Sequence, residues 1–114
     1  MTIYKICTRE AWQEAEHLGR FDGAPVDLAD GFIHFSTAAQ LAETARRHFA
    51  GQDGLVLVRV DEAKLGDALR MELSRGGDLF PHLYGPLPLA AVDRVEALRQ
   101  GSEGQHILPS DLPS

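Results

Sequence analysis

The sequence predicts a single α+β domain in which a sheet is flanked by two helices. Three observations carry that expectation. Apolar residues recur at helical spacing only in the first half of the chain, strand-like runs dominate the second half, and few segments follow the strand-helix-strand order of a doubly wound parallel sheet. The usual dinucleotide route is also missing, with no GxGxxG after the first strand and no GxxxxGK[ST] anywhere. Finally, 114 residues with 44% apolar content suit one core: a domain over 1–100 and a loosely held tail over 101–114, where polar and small residues accompany Pro109 and Pro113.

Ile3-Tyr4-Lys5-Ile6-Cys7 is a short run of strand-forming residues. Thr8 then stands ahead of Ala11, Trp12, Ala15 and Leu18, which recur at helical spacing, so Thr8 is the expected N-cap and Gly19 the stop. Arg20 to Asp30, with Gly23, Pro25 and its aspartates, reads as a loop of a length that is often functional. Ile33 to Phe35 is the next strand, and Thr37 followed by Gln40 fits a capping box for a helix with Leu41, Ala45, His48 and Phe49 on its apolar stripe.

Leu55-Val56-Leu57-Val58-Arg59-Val60 is nearly continuous in apolar residues, the pattern of a central strand covered on both faces. Asp61 to Leu65 reads as a single turn, and Leu69-Arg70-Met71-Glu72-Leu73 alternates like a strand with one wet face, placing Arg70 and Glu72 on the same side. Ser74 to Asp78 is a turn, and Phe80-Pro81-His82-Leu83-Tyr84-Gly85-Pro86 is expected to be an irregular aromatic segment. Val92 to Leu98 alternates again.

Composition narrows the classes of function. A formal charge of −6 argues against gripping nucleic acid by general phosphate neutralisation. No apolar run approaches the roughly 20 residues that span a bilayer, and the first residues lack the basic-then-apolar pattern of a signal peptide, so the expectation is a cytoplasmic protein without membrane association. Cys7, the only cysteine, lies in an apolar run without a CxxC partner and is expected to be a small buried hydrophobe.

Few residues carry chemistry. His34, between Ile33 and Phe35, faces opposite to both; it is either a hydrogen-bonded core residue or a group facing a cleft beside the helix start at Ser36 and Thr37. Ser36 and Thr37 suit capping, with ligand contact as the added alternative. Phe80, His82 and Tyr84 either present ring faces and hydrogen-bonding tips to a flat ligand or plug the edge of the core. Glu72 is either a catalytic carboxylate or a solvent-facing partner of Arg70. No HExxH or paired CxxC supports a metal site, no GxSxG surrounds Ser36, and Cys7 has no base beside it in sequence.

The order Tyr4-Lys5-Ile6, Asp30-Gly31-Phe32-Ile33-His34-Phe35-Ser36-Thr37, Leu55 to Asp61, Glu72 and Phe80-Pro81-His82-Leu83-Tyr84-Gly85 resembles the small bacterial family called domain of unknown function 952, nearly up to Leu98. The resemblance implies an ADP-ribosyltransferase-like architecture, a split sheet with a cleft between its halves, and no established reaction. More distantly, Ile33-His34-Phe35-Ser36, the following helix and the strand Leu55 to Val60 ending in Asp61 are similar to the His-x-His-Leu-Ser segment, helix and strand of NAD-dependent RNA 2′-phosphotransferases. There the matching region lines the NAD site, which carries His34 and Ser36 over as site residues and makes NAD the implied cofactor. Glu72, by position, would stabilise a ribose cation. The expectation is thus a cleft with His34 and Glu72 as catalytic groups and Ser36, Thr37, Phe80, His82 and Tyr84 as ligand-binding groups. It would act on NAD or another nucleotide-like ligand, or serve as a non-catalytic binding module that kept the cleft.

Overall fold

In the computed structural model, which describes residues 1–113 apart from the Arg75 side chain, strands and helices alternate more often than the sequence suggests. The order is β1 (Thr2–Thr8), α1 (Arg9–Leu18), β2 (Arg20–Phe21), α2 (Pro25–Asp30), β3 (Ile33–His34), α3 (Ala38–Phe49), β4 (Leu55–Asp61), β5 (Leu69–Leu73), β6 (Leu79–Leu83), β7 (Leu87–Pro88), β8 (Val92–Gln100) and β9 (His106–Ile107). Every pairing of these strands is antiparallel.

The main sheet has the order β1-β4-β8-β9, and a smaller one the order β3-β6-β5. They meet at a seam. Tyr4 of β1 and Ser36 exchange backbone N–H···O bonds of 2.8 and 2.9 Å, while one residue earlier the Phe35 N–H donates to the Pro81 carbonyl of β6. The segment just after β3 therefore turns from one sheet to the other, and the sheets curl into a half-barrel.

The continuous apolar runs of β1 and β4 follow from burial on both faces. Ile3, Cys7, Val56, Val58 and Val60 join Trp12 and Ala15 of α1 and the inner residues of the small sheet in one core. Tyr4, Ile6, Leu55 and Leu57 pack with Leu41 and Ala45 of α3 in the other. Alternation along each strand divides its side chains between the two. Thr8 caps α1 as expected, its hydroxyl accepting from the Ala11 N–H at 3.1 Å, and Gly19 ends it in the left-handed conformation.

Three expectations are corrected. The presumed loop from Arg20 to Asp30 contains β2 and a third helix, α2, entered through Pro25 and closed by Gly31 at φ 86°. Its periodicity is invisible because Val26 and Leu28 are exposed and Asp27 is the residue it buries. The presumed irregular segment at Phe80 contains most of β6. Pro81 fits a central strand because N–H and C=O point to the same side: its carbonyl meets Phe35, so the donor it lacks would point past the end of β3 and not into the β5 ladder.

The described part of the tail, residues 102–113, is also tied down. β9 pairs with β8, Leu108 and Leu112 pack on the α3 core, and Asp111 accepts two bonds from the Arg59 guanidinium at 2.9 and 3.0 Å. Arg59 also donates to Glu96, so two carboxylates converge on one cation inside reach of the tail.

Because Leu57 is fully buried, Leu57→Ala will lower unfolding free energy by about 3 kcal/mol in urea titration. Leu18→Ala, on the exposed end of α1, will change it by less than about 0.5 kcal/mol apart from helix propensity.

Candidate functional site

The seam between the sheets opens into a cleft of about 650 Å³. Tyr4, Lys5 and Ile6 of β1, Phe32, His34 and Ser36 around β3, and Phe80 and His82 of β6 line it, together with the face of α3 that carries Thr44 and Arg47.

Its histidines are brought together by strand register. His34 of β3 and His82 of β6 lie directly opposite, with ring centroids 5.6 Å apart and planes at 71°. Since the sheet face alternates, Arg70 and Glu72 of β5 fall on the same side as His82. Phe32 packs against both imidazoles, 4.1 Å from the His82 centroid and 4.6 Å from that of His34.

Each histidine is anchored through Nδ1 on a carboxylate. His34 Nδ1 donates to Asp27 Oδ1 at 2.6 Å, and its Nε2 faces Asp30 Oδ2 at 2.9 Å. His82 Nδ1 donates to Glu72 Oε1 at 2.8 Å, and the same oxygen accepts from the Tyr84 hydroxyl at 2.7 Å. An imidazole whose Nδ1–H is committed to a carboxylate has a fixed tautomer and orientation, which is what acid–base chemistry at Nε2 requires.

Asp27 is the most connected of these groups. Besides His34 Nδ1, it accepts from the His34 backbone N–H at 3.0 Å, from Lys5 Nζ at 2.9 Å and from the Ala24 N–H at 2.7 Å. It is 1% exposed, and Lys5 is 6% exposed. Burial pushes the Asp27 carboxyl up, but the His34 ring and Lys5 outweigh it and hold the pKa at about 2. Burial lowers the Lys5 ammonium from its ordinary value against the attraction of Asp27. The bond from Tyr84, then that from His82, holds Glu72 below the usual carboxylate range, and the same bond pushes the Tyr84 phenol up.

Of the residues expected from the sequence, His34, Ser36, Phe80 and His82 line the cleft. Glu72 and Tyr84 stand beside it and connect to it through His82; Arg70, expected as the partner of Glu72, lies over the Tyr84 ring at 5.3 Å and helps lower the Glu72 pKa by its charge. The Ser36 hydroxyl is bonded to Thr44 Oγ1 at 2.8 Å. Thr37 serves the helix start, its N–H donating to Gln40 Oε1 at 3.0 Å, while Gln40 Nε2 reaches the Leu79 carbonyl and ties α3 to β6. Cys7 is buried, its thiol pushed up to about 11, chiefly by burial.

Sequence reasoning missed Asp27, Lys5, Asp30 and Phe32. Lys5 left one signal, a lysine in the middle of an apolar strand run, which demands a buried counter-charge. Asp27 left none, because an acid in a stretch that reads as loop carries no mark of burial and its counter-charge, Lys5, lies on β1. Among the described residues, no group of three or more His, Cys, Asp or Glu is arranged to hold a metal ion, and no helix is long and apolar enough to cross a membrane.

Comparison with known proteins agrees with this architecture. The family model described as "Protein of unknown function (DUF952)" matches residues 6–95. The crystal structure of protein CC0527 from Caulobacter crescentus is similar at 48% identity, with 94% of each chain covered and a TM-score of 0.91. The solution structure of the same protein is similar at 49% identity, covering 91% of this chain and 90% of that one, with a TM-score of 0.82. No curated protein matches the sequence.

Asp27→Ala will leave Lys5 buried without its counter-charge and lower unfolding free energy by about 3–5 kcal/mol in urea. Because the folded pKa of Asp27, about 2, lies below the ordinary 3.8, its stabilisation is complete above pH about 4 and is lost as pH falls toward 2. Melting temperatures of wild type and Asp27→Asn, measured across that window, will converge at the acid end.

Proposed function

The chain belongs to the DUF952 family of proteins of unknown function, and on that premise we propose that its cleft binds a nucleotide-like small molecule and acts on it through His34 and His82. One observation carries the reading: two imidazoles on directly opposed strand positions, each held through Nδ1 by a carboxylate, both lining the same cleft. Paired, pre-oriented acid–base groups in a concave site are the arrangement that general acid–base catalysis needs. The rings of Phe32 and Phe80 supply apolar faces on which a flat base can stack.

The ADP-ribosyltransferase-like relationship implied by the sequence belongs to this proposal, with NAD and ADP-ribose as its ligands. The split of the sheets at Ser36 and the cleft beside it support it. Glu72 takes part as a positioning residue: its Oε1 is engaged by His82 and Tyr84, so it orients His82 and keeps a fixed negative charge behind that ring. Such a charge favours positive charge developing on a ribose.

Thermal-shift measurements with NAD, ADP-ribose and nucleoside phosphates test the reading directly. A ligand at a hundredfold excess over its Kd will stabilise the protein by about 2.7 kcal/mol and raise its melting temperature by several degrees. Phe80→Ala will diminish the shift. No shift with any of these compounds overturns the nucleotide reading, whereas a ligand that binds equally well to Glu72→Ala and is never turned over by wild type favours the non-catalytic module.

A further inference from the structure

We propose that His34 and His82 form a two-histidine acid–base pair that hydrolyses a nucleoside phosphodiester, with His82 as the base and His34 as the acid. The inference rests on the nucleotide-binding reading and adds to it a bond, a reaction and an unequal division of labour.

The hydrogen bonds assign the roles. His82 gives its Nδ1–H to the Glu72 carboxylate, which leaves the Nε2 lone pair available to take a proton. His34 lies between two carboxylates, with Asp27 at Nδ1 and Asp30 at Nε2. Carboxylates accept and do not donate, so both bonds are satisfied when each ring nitrogen carries a proton, and Nε2 then has one to give. Asp30 ends α2 and is exposed at the cleft, where an oxygen of the ligand can replace it. Asp27 is buried and stays with the ring.

Displacement at phosphorus uses this asymmetry. The entering and leaving oxygens lie on opposite sides of the phosphorus; one must lose a proton and the other must gain one. His82 Nε2 takes a proton from water as the water oxygen bonds to phosphorus. The P–O ester bond breaks as His34 Nε2 passes its proton to the departing ribose oxygen. The products are a phosphomonoester and a free hydroxyl, and transfer through solvent from His82 to His34 restores both rings. The two rings, with centroids 5.6 Å apart on neighbouring strands, both border the cleft in which the phosphate would sit.

Charge favours a diester over a monoester. The cleft wall mixes Lys5 and Arg47 with Asp30, Glu43 and Asp78. A ligand with one negative charge meets less repulsion there than one with nearly two.

The test uses the full chain in EDTA with two substrates: a nucleoside 2′,3′-cyclic phosphate, whose leaving alkoxide needs a proton, and a nucleoside 4-nitrophenyl phosphodiester, whose nitrophenolate does not. Asn replacements keep an amide donor near the Nδ1 position and remove Nε2. His82→Asn will lose roughly a hundredfold on both substrates. His34→Asn will lose roughly a hundredfold on the cyclic ester and less than about tenfold on the nitrophenyl ester, a split that a merely structural histidine does not produce. Equal losses of His34→Asn on both substrates, or dependence of turnover on a metal that EDTA removes, overturn the proposal. Wild type alone also decides it: thermal shifts with both diesters but turnover of neither refute the reaction and leave the nucleotide reading standing, while no shift with any nucleotide refutes both.

Discussion

The carboxylate of Asp27 is the constraint on which the site depends. It collects bonds from the start of its own helix, from β1 and from both the backbone and the ring of His34. An unpaired buried charge costs several kcal/mol, so α2 can rest in only one place, with Asp27 against Lys5. That replaces the apolar stripe by which helices usually dock. The geometry also reaches back to Gly23. Its φ is 121°, and a Cβ there would sit 2.9 Å from Asp27 Cβ, so a larger residue would displace the carboxylate that orients His34.

The rest of the site hangs on strand register. β3 is two residues long, yet the segment it begins bonds to β6 on one side and to β1 on the other. A one-residue slip against β6 would turn His34 away from His82 and expose Ile33. Burial of Ile33 and Leu83, paired across the same two strands, opposes that slip. Apolar residues on the far face of the small sheet thereby fix where the imidazoles stand on the near face.

Legibility in the sequence followed the range of the forces involved. The α+β class, β1, α1, α3, β4 and the bounds of β5 were readable because alternation, helical spacing and caps are local signals. α2 was not, since a helix held by one buried acid leaves no hydrophobic period. β6 was hidden by Pro81, whose missing donor is harmless only because β3 ends where it does. At the site, His34 and His82 were recognisable by residue type, and Glu72 by position. Their partnership was not, because it depends on the pairing of β3 with β6 and β6 with β5. The tail misled through its composition: Pro109 and Pro113 suggest loose chain, while Leu108, Leu112 and Asp111 supply contacts whose partners lie far away in sequence.

The two anchored histidines differ in sequence range from the cleft they share. Asp27 and His34 are 7 residues apart, and Glu72 and His82 are 10 apart across a hairpin. Each dyad therefore closes a short loop, a contact of low entropic cost that forms quickly. Bringing the two together requires the distant pairing of β3 with β6, with α3 and β4 lying between them in the chain. The cleft thus joins two locally closed dyads through one longer-range strand pairing, and any change that loosens β3 against β6 separates the imidazoles while leaving each beside its own carboxylate.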